Sequence, residues 1–372
     1  MNIDSLIQDI ILQIKREVKN DKAVAAVSGG VDSTTAAVLA YRALGKNLVP
    51  IMIDTGFLRK GETSKVREEL KELLPLNIID VSKTFIEELK NYDDAEEKRK
   101  KFRELFYETL RKVVEENNAR YLVQGTIAAD WVETRWGIKT QHNVLLQIGI
   151  NPETKWGFKI IEPLAELYKN EVREIAKYLG LPPSIIYRQP FPGPGLLVRI
   201  LGRISEEKLD ILKDVTEIVE RELENFNPSQ YFAVIFESKS YKDENLTNLI
   251  NKDVYLYYNK ATGVMGDVRA YGNIAKVYGI ANNSPKDWRK ISQILAGRNI
   301  THTLLPIQER DNGEYSIVIR AVKSEDFMTA DILELPIEEL KRISEEILKV
   351  SSKIKEVLYD ITTKPPATIE FE

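Results

Sequence analysis

The stretch VAAVSGGVDSTTAAVLA, residues 24–40, contains the change of sequence pattern that decides the fold. It begins as a short apolar run typical of a buried strand, bends at two adjacent glycines, and continues with residues that favour a helix. The first turn of such a helix leaves backbone N–H groups without partners, and the helix dipole adds partial positive charge there. The stretch therefore predicts an anion-binding loop between a strand and a helix.

Outward from this loop, strand-like and helical patterns alternate along the first half of the chain. Apolar residues recur at helical spacing in residues 3–18, and a charged amphipathic helix is predicted for Ala95–Glu116. The segments LVPIMID, NIIDVS and RYLVQGT are each typical of a short buried strand. This alternation predicts an α/β fold with a doubly wound, mostly parallel sheet.

A segment rich in proline and glycine, RQPFPGPG at residues 188–195, interrupts the alternation. Its three prolines and two glycines exclude a regular helix or a central strand, so we interpret it as a junction between domains. We therefore expect a first domain at residues 1–187 and a second domain at residues 188–372.

The second half of the chain has a different pattern of elements. A helix near residues 206–223 precedes the strand-like runs YFAVIFE, DVYLYYN and SIVIRAV, and a further helix is predicted for residues 336–358. This order predicts a smaller α+β domain. The pattern of residues 272–302 is too weak to assign to any element.

Composition and charge exclude several classes of protein. Hydrophobic residues make up 43% of the 372, and no apolar run approaches the roughly 20 residues that span a bilayer. The N-terminus also lacks the pattern of a signal peptide, so we expect a cytoplasmic protein that does not act on membranes. The net charge of −4 argues against a nucleic-acid partner, because nucleic-acid-binding surfaces are normally basic.

The sequence contains no cysteine, which restricts its chemistry further. Disulfides, thiolate zinc sites, iron–sulfur clusters and cysteine nucleophiles are all excluded from it. Only two histidines, His142 and His302, are present, so a histidine metal cluster is nearly excluded as well. Any metal should therefore be a hard ion held by oxygen atoms, such as Mg²⁺.

The glycine-rich loop, residues 28–34, is the strongest candidate for a binding site. Its glycines let a ligand approach the backbone, and its hydroxyl groups add donors, which together suit a phosphate or pyrophosphate. Asp32 would repel phosphates unless Mg²⁺ lay between them, so Asp32 is predicted to be a metal ligand. Neither the Walker pattern nor a GxGxxG after a strand is present, and the remaining alternative is a capped strand-to-helix turn. The predicted ligand residues are Ser28, Gly29, Gly30, Val31, Asp32, Ser33 and Thr34.

The motif SGGVDS resembles the pyrophosphate loop of the N-type ATP pyrophosphatases, which have an adenine nucleotide α-hydrolase-like fold and split ATP between its α- and β-phosphates. The segment IEPLAELYKNEVREIAKYLGLP is similar to the same superfamily. Four further stretches resemble the glutamine-hydrolysing GMP synthetase family within it: QGTIAADWVET, RQPFPGPGLLVRILG, TGVMGDVR and YDITTKPPATIEFE. The resemblance runs from residue 28 to residue 372 and covers both expected domains.

This resemblance implies a binding site for the nucleotide XMP in the second domain. Lys364 and Glu370 of the segment KPPATIE, and Asp267 of GVMGD, match XMP-binding positions of the family, with Arg269 as a neighbour. A lysine beside two prolines is a plausible partner for a phosphate, although a packed terminal strand with a solvated lysine is the alternative.

The resemblance also assigns roles to residues of the first domain. Lys139 of IKTQHNV matches a lysine on a mobile lid of the family, where it neutralises charge on the phosphates during transfer. Asp130 and Glu133 share a face if their segment is helical, and they are candidates for holding Mg²⁺ or positioning ammonia. Asp54 ends a predicted strand in the segment that resembles the adenosine-contacting part of the family; capping of the next turn is the alternative.

The sequence departs from the family pattern at three positions. Gln141 replaces the first of two lid histidines, Gln189 replaces the histidine of the family motif RHPFPGPG, and Ala128 aligns with an arginine that contacts the nucleotide. We expect these changes to alter the lid and part of XMP recognition, and to leave the ATP chemistry unchanged.

The resemblance implies amination of XMP to GMP, with ATP and Mg²⁺ and through an adenylyl-XMP intermediate, releasing AMP and pyrophosphate. Because the chain begins with the ATP pyrophosphatase domain and has no cysteine, we expect it to take ammonia from a separate glutamine amidotransferase subunit. The second domain mediates dimerisation in the family, which predicts a homodimer. The alternatives are another ATP pyrophosphatase, such as NAD synthetase or a tRNA thiolase, and a non-catalytic nucleotide-binding subunit.

Overall fold

The computed structural model describes residues 2–128, 152–265, 268–325 and 328–372. The chain forms two compact units, the first made of Met1–Glu87 with Lys100–Gly193 and the second of Glu88–Arg99 with Pro194–Glu372. The first unit ends six residues beyond the expected boundary at 187, and nothing in the sequence pattern indicates that Glu88–Arg99 joins the second. The two units are of similar length, where the pattern favoured a smaller second domain.

The elements from the N-terminus to residue 186 alternate between helices and strands, as the sequence predicts. The helices are α1 (Ile3–Val18), α2 (Val31–Leu44), α3 (Glu62–Leu70), α4 (Ser82–Leu89), α5 (Ala95–Glu116), α6 (Pro152–Trp156), α7 (Lys169–Leu179) and α8 (Pro183–Ile186). The strands are β1 (Ala23–Ala26), β2 (Leu48–Asp54), β3 (Asn77–Asp80), β4 (Tyr121–Val123) and β5 (Lys159–Ile161).

The five strands form one parallel sheet in the order β3-β2-β1-β4-β5. Successive residues of β1 point to opposite faces, so Ala23 and Ala25 pack in the same cluster as side chains of α1, α2 and α7. Val24 packs on the other face with side chains of α5 and α6. Helices therefore cover both faces, which confirms the predicted doubly wound α/β sheet. The strand order reverses between β1 and β4, and such switch points bind ligands at the carboxyl ends of the strands.

Helix α1 illustrates how local sequence specifies these elements. The side chain of Asn2 caps the helix by accepting the Asp4 N–H at 3.1 Å. Ile7, Ile10 and Ile14 lie on one buried face, at the spacing that brings them over successive turns. Burial of this face against α2 and α7 stabilises a helix whose other side is charged.

The second unit is built around a mixed sheet. Its helices are α9 (Glu206–Leu223), α10 (Glu244–Ile250), α11 (Pro285–Ala296) and α12 (Ile337–Val350), and a 3-10 helix covers Gly195–Arg199. Its strands are β6 (Gln230–Glu237), β7 (Ser240–Lys242), β8 (Val254–Met265), β9 (Val268–Val277), β10 (Ile300–Glu309), β11 (Tyr315–Lys323), β12 (Asp331–Ile332) and β13 (Ile354–Asp360). The sheet order is β12-β11-β13-β10-β9-β8-β7, and β6 also pairs with β11.

The helix predicted for residues 336–358 is wrong in its second half. Helix α12 ends at Val350, and Ile354–Asp360 instead form β13, between β10 and β11. Val357 and Tyr359 are buried on one side of this strand and Leu358 on the other, so a continuous apolar run here reflects burial on both faces. The unassigned residues 272–302 contain most of β9, all of α11 and the start of β10. Among the helices of the described ranges, none is long and apolar enough to cross a bilayer.

Candidate nucleotide-binding sites

The glycine-rich loop connects β1 to α2 at the switch point of the first sheet. Gly29 has a φ of +79°, a backbone conformation that favours glycine. The hydroxyl of Ser33 accepts the Ser28 N–H at 3.0 Å and lies 2.9 Å from the Ser28 hydroxyl. Gly30 is the N-cap of α2 and offers no side-chain cap, so the first-turn N–H groups keep their capacity to bind an anion.

Asp32, the predicted metal ligand, lies in the first turn of α2 and contacts a lysine. Its Oδ2 atom is 2.5 Å from Nζ of Lys169, the first residue of α7. Its Oδ1 atom is buried without a hydrogen-bond partner among the described residues, and so is the Oγ1 atom of Thr34 two residues later. An unpartnered carboxylate oxygen is a donor that Mg²⁺ accepts, usually together with phosphate oxygens. The donor set of this loop therefore fits Mg²⁺ held jointly with a phosphate ligand.

Close packing against β4 holds the start of α2 in place. Gly125 follows β4, and a Cβ atom built on it would lie only 2.4 Å from the Ser33 nitrogen and 2.6 Å from the carbonyl carbon of Asp32. Only glycine fits this approach. Nearby, the hydroxyl of Thr126 donates to Glu162 at 2.7 Å, which ties the end of β4 to the residue after β5.

Asp54 lies at the carboxyl end of β2, half buried. Its Oδ1 atom accepts the Gly56 N–H at 2.9 Å, so the carboxylate caps the turn that follows the strand. This is the local role that the sequence leaves open as the alternative, and contact with adenosine stays a prediction.

Three predicted residues of the first domain, Asp130, Glu133 and Lys139, lie outside the described residues. The same is true of Gln141 and His142 in the expected lid.

The C-terminal tail, residues 361–372, lies along β8 in the second unit. The Thr262 N–H donates to the Phe371 carbonyl and the Val264 N–H to the Pro366 carbonyl, each at 2.8 Å. This register brings the backbone around Lys364 to the end of β8 that leads into residues 266–267. Asp267 lies outside the described residues, and the side chain of its neighbour Arg269 does as well.

Glu370, a predicted XMP ligand, is held by a buried arginine. Arg199 donates from Nε at 3.0 Å and from Nη2 at 2.8 Å to the two carboxylate oxygens of Glu370. The guanidinium group of Arg199 lies 4.1 Å from the ring centre of Phe232, and the Gln230 amide donates to Glu370 at 2.9 Å. Lys364, the other predicted ligand of the tail, pairs through its backbone N–H and carbonyl with Ala330.

A second buried arginine closes the tail into a loop. Arg320 donates to the carbonyls of Thr362, Thr368 and Ile369, at 3.1, 2.8 and 2.9 Å. It also donates to Asp360 at 2.6 Å, and both partners are fully buried. These carbonyls lie on both sides of Lys364 in the chain. Arg320 therefore fixes both ends of the tail segment that contains Lys364.

Asp360 is shared between Arg320 and His302. His302 contacts Asp360 through Nδ1 at 2.7 Å, faces the Thr262 carbonyl through Nε2 at 3.1 Å, and stacks on Phe371 with ring centres 3.8 Å apart. Burial lowers the pKa of His302, and the attraction of Asp360 only partly offsets this. Burial would raise the pKa of Asp360, but the charge of Arg320 and the contact with His302 hold it below its ordinary value.

Glu372 anchors the end of the tail. Its carboxylate forms an ion pair with the buried ammonium group of Lys98 and accepts the Gly202 N–H at 3.2 Å. Lys98 also donates to the carbonyls of Ile200 and Gly202, at 2.7 and 3.1 Å. Burial raises the pKa of Glu372 and lowers that of Lys98, and the attraction between the two groups opposes both shifts.

Four basic residues were missed as site residues by reasoning from the sequence: Lys169, Arg188, Arg199 and Arg320. A signal exists for each of them. Lys169 lies in the segment ELYKNEV of the superfamily, and Arg188 and Arg199 both lie in the stretch RQPFPGPGLLVRILG. Arg320 interrupts the apolar run SIVIRAV, and a charge in a buried strand indicates a specific partner.

Comparisons with known proteins find two family models along the chain. The family model of NAD synthase matches residues 5–250, which include the glycine-rich loop, and the model of the GMP synthase C terminal domain matches residues 287–371, which include most of the tail. The chain is 57% identical to a subunit of the glutamine-hydrolyzing GMP synthase of Saccharolobus solfataricus over 369 residues, 99% of either chain. It is 40% identical to the corresponding GMP synthase subunit of Archaeoglobus fulgidus over 373 residues, 100% of either chain.

Identity of this extent covers the ATP loop, the switch point and the C-terminal tail together. The chain therefore belongs to the same family as these GMP synthase subunits.

Proposed function

We propose that this chain is the ATP pyrophosphatase subunit of a GMP synthase, which converts XMP, ATP and ammonia to GMP, AMP and pyrophosphate. The observation that carries the proposal is the glycine-rich loop, where buried oxygens of Asp32 and Thr34 that have no partner among the described residues accompany the open first turn of α2. The match of both family models and the similarity to named GMP synthase subunits support it.

The reaction needs activation, because an oxygen on a purine ring is a poor leaving group for attack by ammonia. In the proposed first step, the C2 oxygen of XMP attacks the α-phosphorus of ATP, and the bond to pyrophosphate breaks. In the second, ammonia attacks C2 of the adenylyl-XMP intermediate, the C2–O bond breaks, and AMP leaves with loss of one proton. Holding the two nucleotides in line supplies much of the rate.

The predicted site residues have separate roles in this scheme. The N–H groups of residues 28–34 would stabilise the departing pyrophosphate, and each such donor is worth about 10²–10³ in rate where it has been removed from other enzymes. Asp32, with the hydroxyl of Thr34 nearby, would hold Mg²⁺, which neutralises phosphate charge when bound. Lys169 adds a positive charge beside the same loop. Lys364, Glu370, Asp267 and Arg269 are proposed to bind XMP, and Asp54 to contact adenosine.

Lys139 is proposed to neutralise phosphate charge during transfer, and Asp130 and Glu133 to hold Mg²⁺ or position ammonia. These assignments rest on the family motifs alone.

The proposal also concerns the source of the ammonia. The relatives are named as one subunit of a glutamine-hydrolyzing enzyme, and this sequence has no cysteine to act as a glutaminase nucleophile. We therefore propose that a separate glutamine amidotransferase subunit supplies ammonia in the cytoplasm. We further propose that residues 1–187 act as the ATP pyrophosphatase domain and that residues 188–372 bind XMP and form a homodimer. Light scattering at micromolar concentration should give twice the chain mass.

A product assay tests the proposal. The purified chain is incubated with ATP, MgCl₂ and an ammonium salt, and with either XMP or deamido-NAD. The match to the NAD synthase model is the observation that makes deamido-NAD the competing substrate. We expect GMP, AMP and pyrophosphate from XMP and no product from deamido-NAD. NAD formation would establish the competing function, and no product from either substrate would favour a non-catalytic nucleotide-binding subunit.

The same assay with glutamine as the sole nitrogen donor tests the partner. We expect turnover with ammonium salts and none above background with glutamine. Comparable rates with the two donors would contradict the proposed need for a second subunit.

A further inference from the structure

The carbonyl of Gly29 in the glycine-rich loop is held by a guanidinium group. Arg188 donates from Nη1 to this carbonyl at 3.2 Å and from Nη2 to Oε1 of Glu62 at 2.7 Å. One arginine therefore connects the loop, which follows β1, to the first residue of α3. Arg188 is the first residue of the proline-rich segment RQPFPGPG.

Glu62 is itself held firmly. Its side chain is 2% exposed, and its Oε2 atom accepts the Arg59 N–H at 3.0 Å and lies 3.6 Å from Nη1 of Arg59. The guanidinium group of Arg59 lies 4.1 Å from the ring centre of Phe191, in the same proline-rich segment. A buried carboxylate with this many donors is costly to reorient. Glu62 therefore holds the guanidinium group of Arg188 in one orientation, toward the Gly29 carbonyl.

The loop backbone is pressed against this pair. A Cβ atom on Gly29 would lie 2.7 Å from Nη1 of Arg188 and 3.0 Å from Cγ2 of Val66, and the φ of Gly29 is already +79°. The contact between Arg188 and the loop thus involves the backbone, with no room for a side chain between them.

The geometry of the peptide unit turns this contact into an orientation of the next amide. In a planar trans peptide the carbonyl and the following N–H point in opposite directions. Arg188 holds the Gly29 carbonyl, so the Gly30 N–H must point away from Arg188. That N–H has the Ser28 hydroxyl as a long partner at 3.4 Å, which leaves it able to donate to a bound anion.

We propose that Arg188, aimed by Glu62, is a positioning residue that fixes the Gly29–Gly30 peptide so that the Gly30 N–H is presented to the pyrophosphate part of ATP. The inference rests on the proposed function of the loop. It assigns Arg188 a role through the backbone carbonyl, without contact to the phosphate.

Neutralisation of Glu62 should change pyrophosphate binding in opposite directions for a positioning role of Arg188 and for direct phosphate binding by Arg188. Neutralising Glu62 removes a negative charge near an anionic ligand and frees Arg188 from its partner. If Arg188 bound phosphate directly, the Glu62→Gln variant would bind pyrophosphate as well as or better than the parent chain. If Arg188 acts through Gly29, the guanidinium group in the same variant is no longer held in its orientation toward the Gly29 carbonyl, and the variant binds pyrophosphate more weakly.

The test measures binding of pyrophosphate in excess MgCl₂ to the full chain by isothermal titration calorimetry. We expect Arg188→Lys and Glu62→Gln each to weaken pyrophosphate binding by about tenfold or more, because each breaks a charge-assisted hydrogen bond that orients the loop. In steady-state kinetics the same variants should raise the KM for ATP and leave the KM for XMP unchanged. Glu68→Gln removes the same charge from an exposed position of α3 and should leave the affinity for pyrophosphate and the KM for ATP unchanged.

The possible results lead to different conclusions about Arg188. Binding as tight as or tighter than that of the parent chain in Glu62→Gln overturns the positioning role, and so does pyrophosphate binding that survives both substitutions. A parent chain that binds no pyrophosphate overturns this inference together with the proposed function of the loop. Thermal melting of every variant separates loss of binding from loss of fold. The Arg188 side chain is 20% exposed in the parent chain, and a lysine at this position keeps a positive charge to pair with the buried carboxylate of Glu62.

Discussion

The ammonium group of Lys169 lies 2.5 Å from the carboxylate of Asp32, although the two residues are 137 positions apart in the chain. One begins α7 and the other lies in the first turn of α2, so the contact exists only because the two helices pack side by side. It places a fixed positive charge beside the loop that we propose binds the phosphates of ATP. The other oxygen of Asp32 is buried and has no hydrogen-bond partner in the part of the chain that the structure describes.

Substitution of Asp32 by asparagine should lower kcat by about 10²–10³-fold, as expected when a group that stabilises charge at the reacting phosphates is removed. Because a neutral amide is a weak ligand for a divalent cation, the MgCl₂ concentration for half-maximal rate should rise as well. Steady-state GMP formation at varied MgCl₂ measures both. Asp9→Asn, an exposed position of α1, is the matched control, and a normal magnesium requirement in Asp32→Asn would contradict the metal role.

Replacement of Lys169 by glutamine should raise the KM for ATP by about tenfold and lower kcat, since the positive charge beside Asp32 and the proposed phosphate loop is lost. Lys169→Arg keeps the charge and should recover part of the activity. The KM for XMP should stay unchanged in both variants. A rise in the KM for XMP equal to that for ATP would show that Lys169 supports the fold and has no specific role at the loop.

Gly125→Ala should disrupt the start of α2, because the added Cβ would lie 2.4 Å from the Ser33 nitrogen. Overpacking of this kind typically costs about 1–3 kcal/mol in the free energy of unfolding. We expect a lower melting temperature and weaker ATP binding. In Gly297→Ala, the nearest atom to the new Cβ is 3.5 Å away and φ is −65°, so that control should change neither quantity. Normal ATP binding in Gly125→Ala would mean that the loop tolerates displacement of its backbone.

Arg199→Met should raise the KM for XMP by about 10–100-fold and leave that for ATP unchanged, because Glu370 loses two charge-assisted hydrogen bonds. Arg199→Lys restores one charged donor and should give an intermediate value. The exposed Arg203, which pairs only distantly with Asp93, provides the control Arg203→Met. Equal changes in the KM for both nucleotides would argue against the proposed role of Glu370 in XMP binding.

Acid should destabilise the protein in part through Asp360. The pKa of this buried carboxyl is held below its ordinary value, so its contribution to the free energy of unfolding is present above pH of about 4 and is lost as the pH falls through the native pKa. Asp360→Asn should be less stable at pH 7, by about 3–5 kcal/mol, because Arg320 then keeps a buried charge without a counter-ion.

Urea denaturation between pH 5 and pH 3 tests this sign. The stability of the Asp360→Asn variant should fall less steeply with acid than that of the parent chain, because the titrating group has been removed. Parallel curves for the two proteins would show that Asp360 does not contribute to the acid response.

Local sequence determined much of this protein. Hydrophobic periodicity predicted α1 and α5 and the strands β1 to β4, since a short apolar run and a charged amphipathic repeat are properties of neighbouring residues. The glycine-rich loop was also evident, because its glycines and hydroxyls follow directly on β1. The motifs of the loop, the junction and the tail were enough to indicate the family.

Tertiary structure decided what depends on residues far apart in the chain. Lys169 reaches Asp32, Arg188 reaches Gly29, and Arg199 reaches Glu370 only after the strands have paired and the helices have packed, and no local period records such contacts. The same reason explains why β13 was predicted as part of a helix. Val357, Leu358 and Tyr359 are buried on both faces of β13 and therefore show no alternation, and the strand also contains the buried carboxylates Glu356 and Asp360. Only pairing with its two neighbouring strands makes this segment a strand.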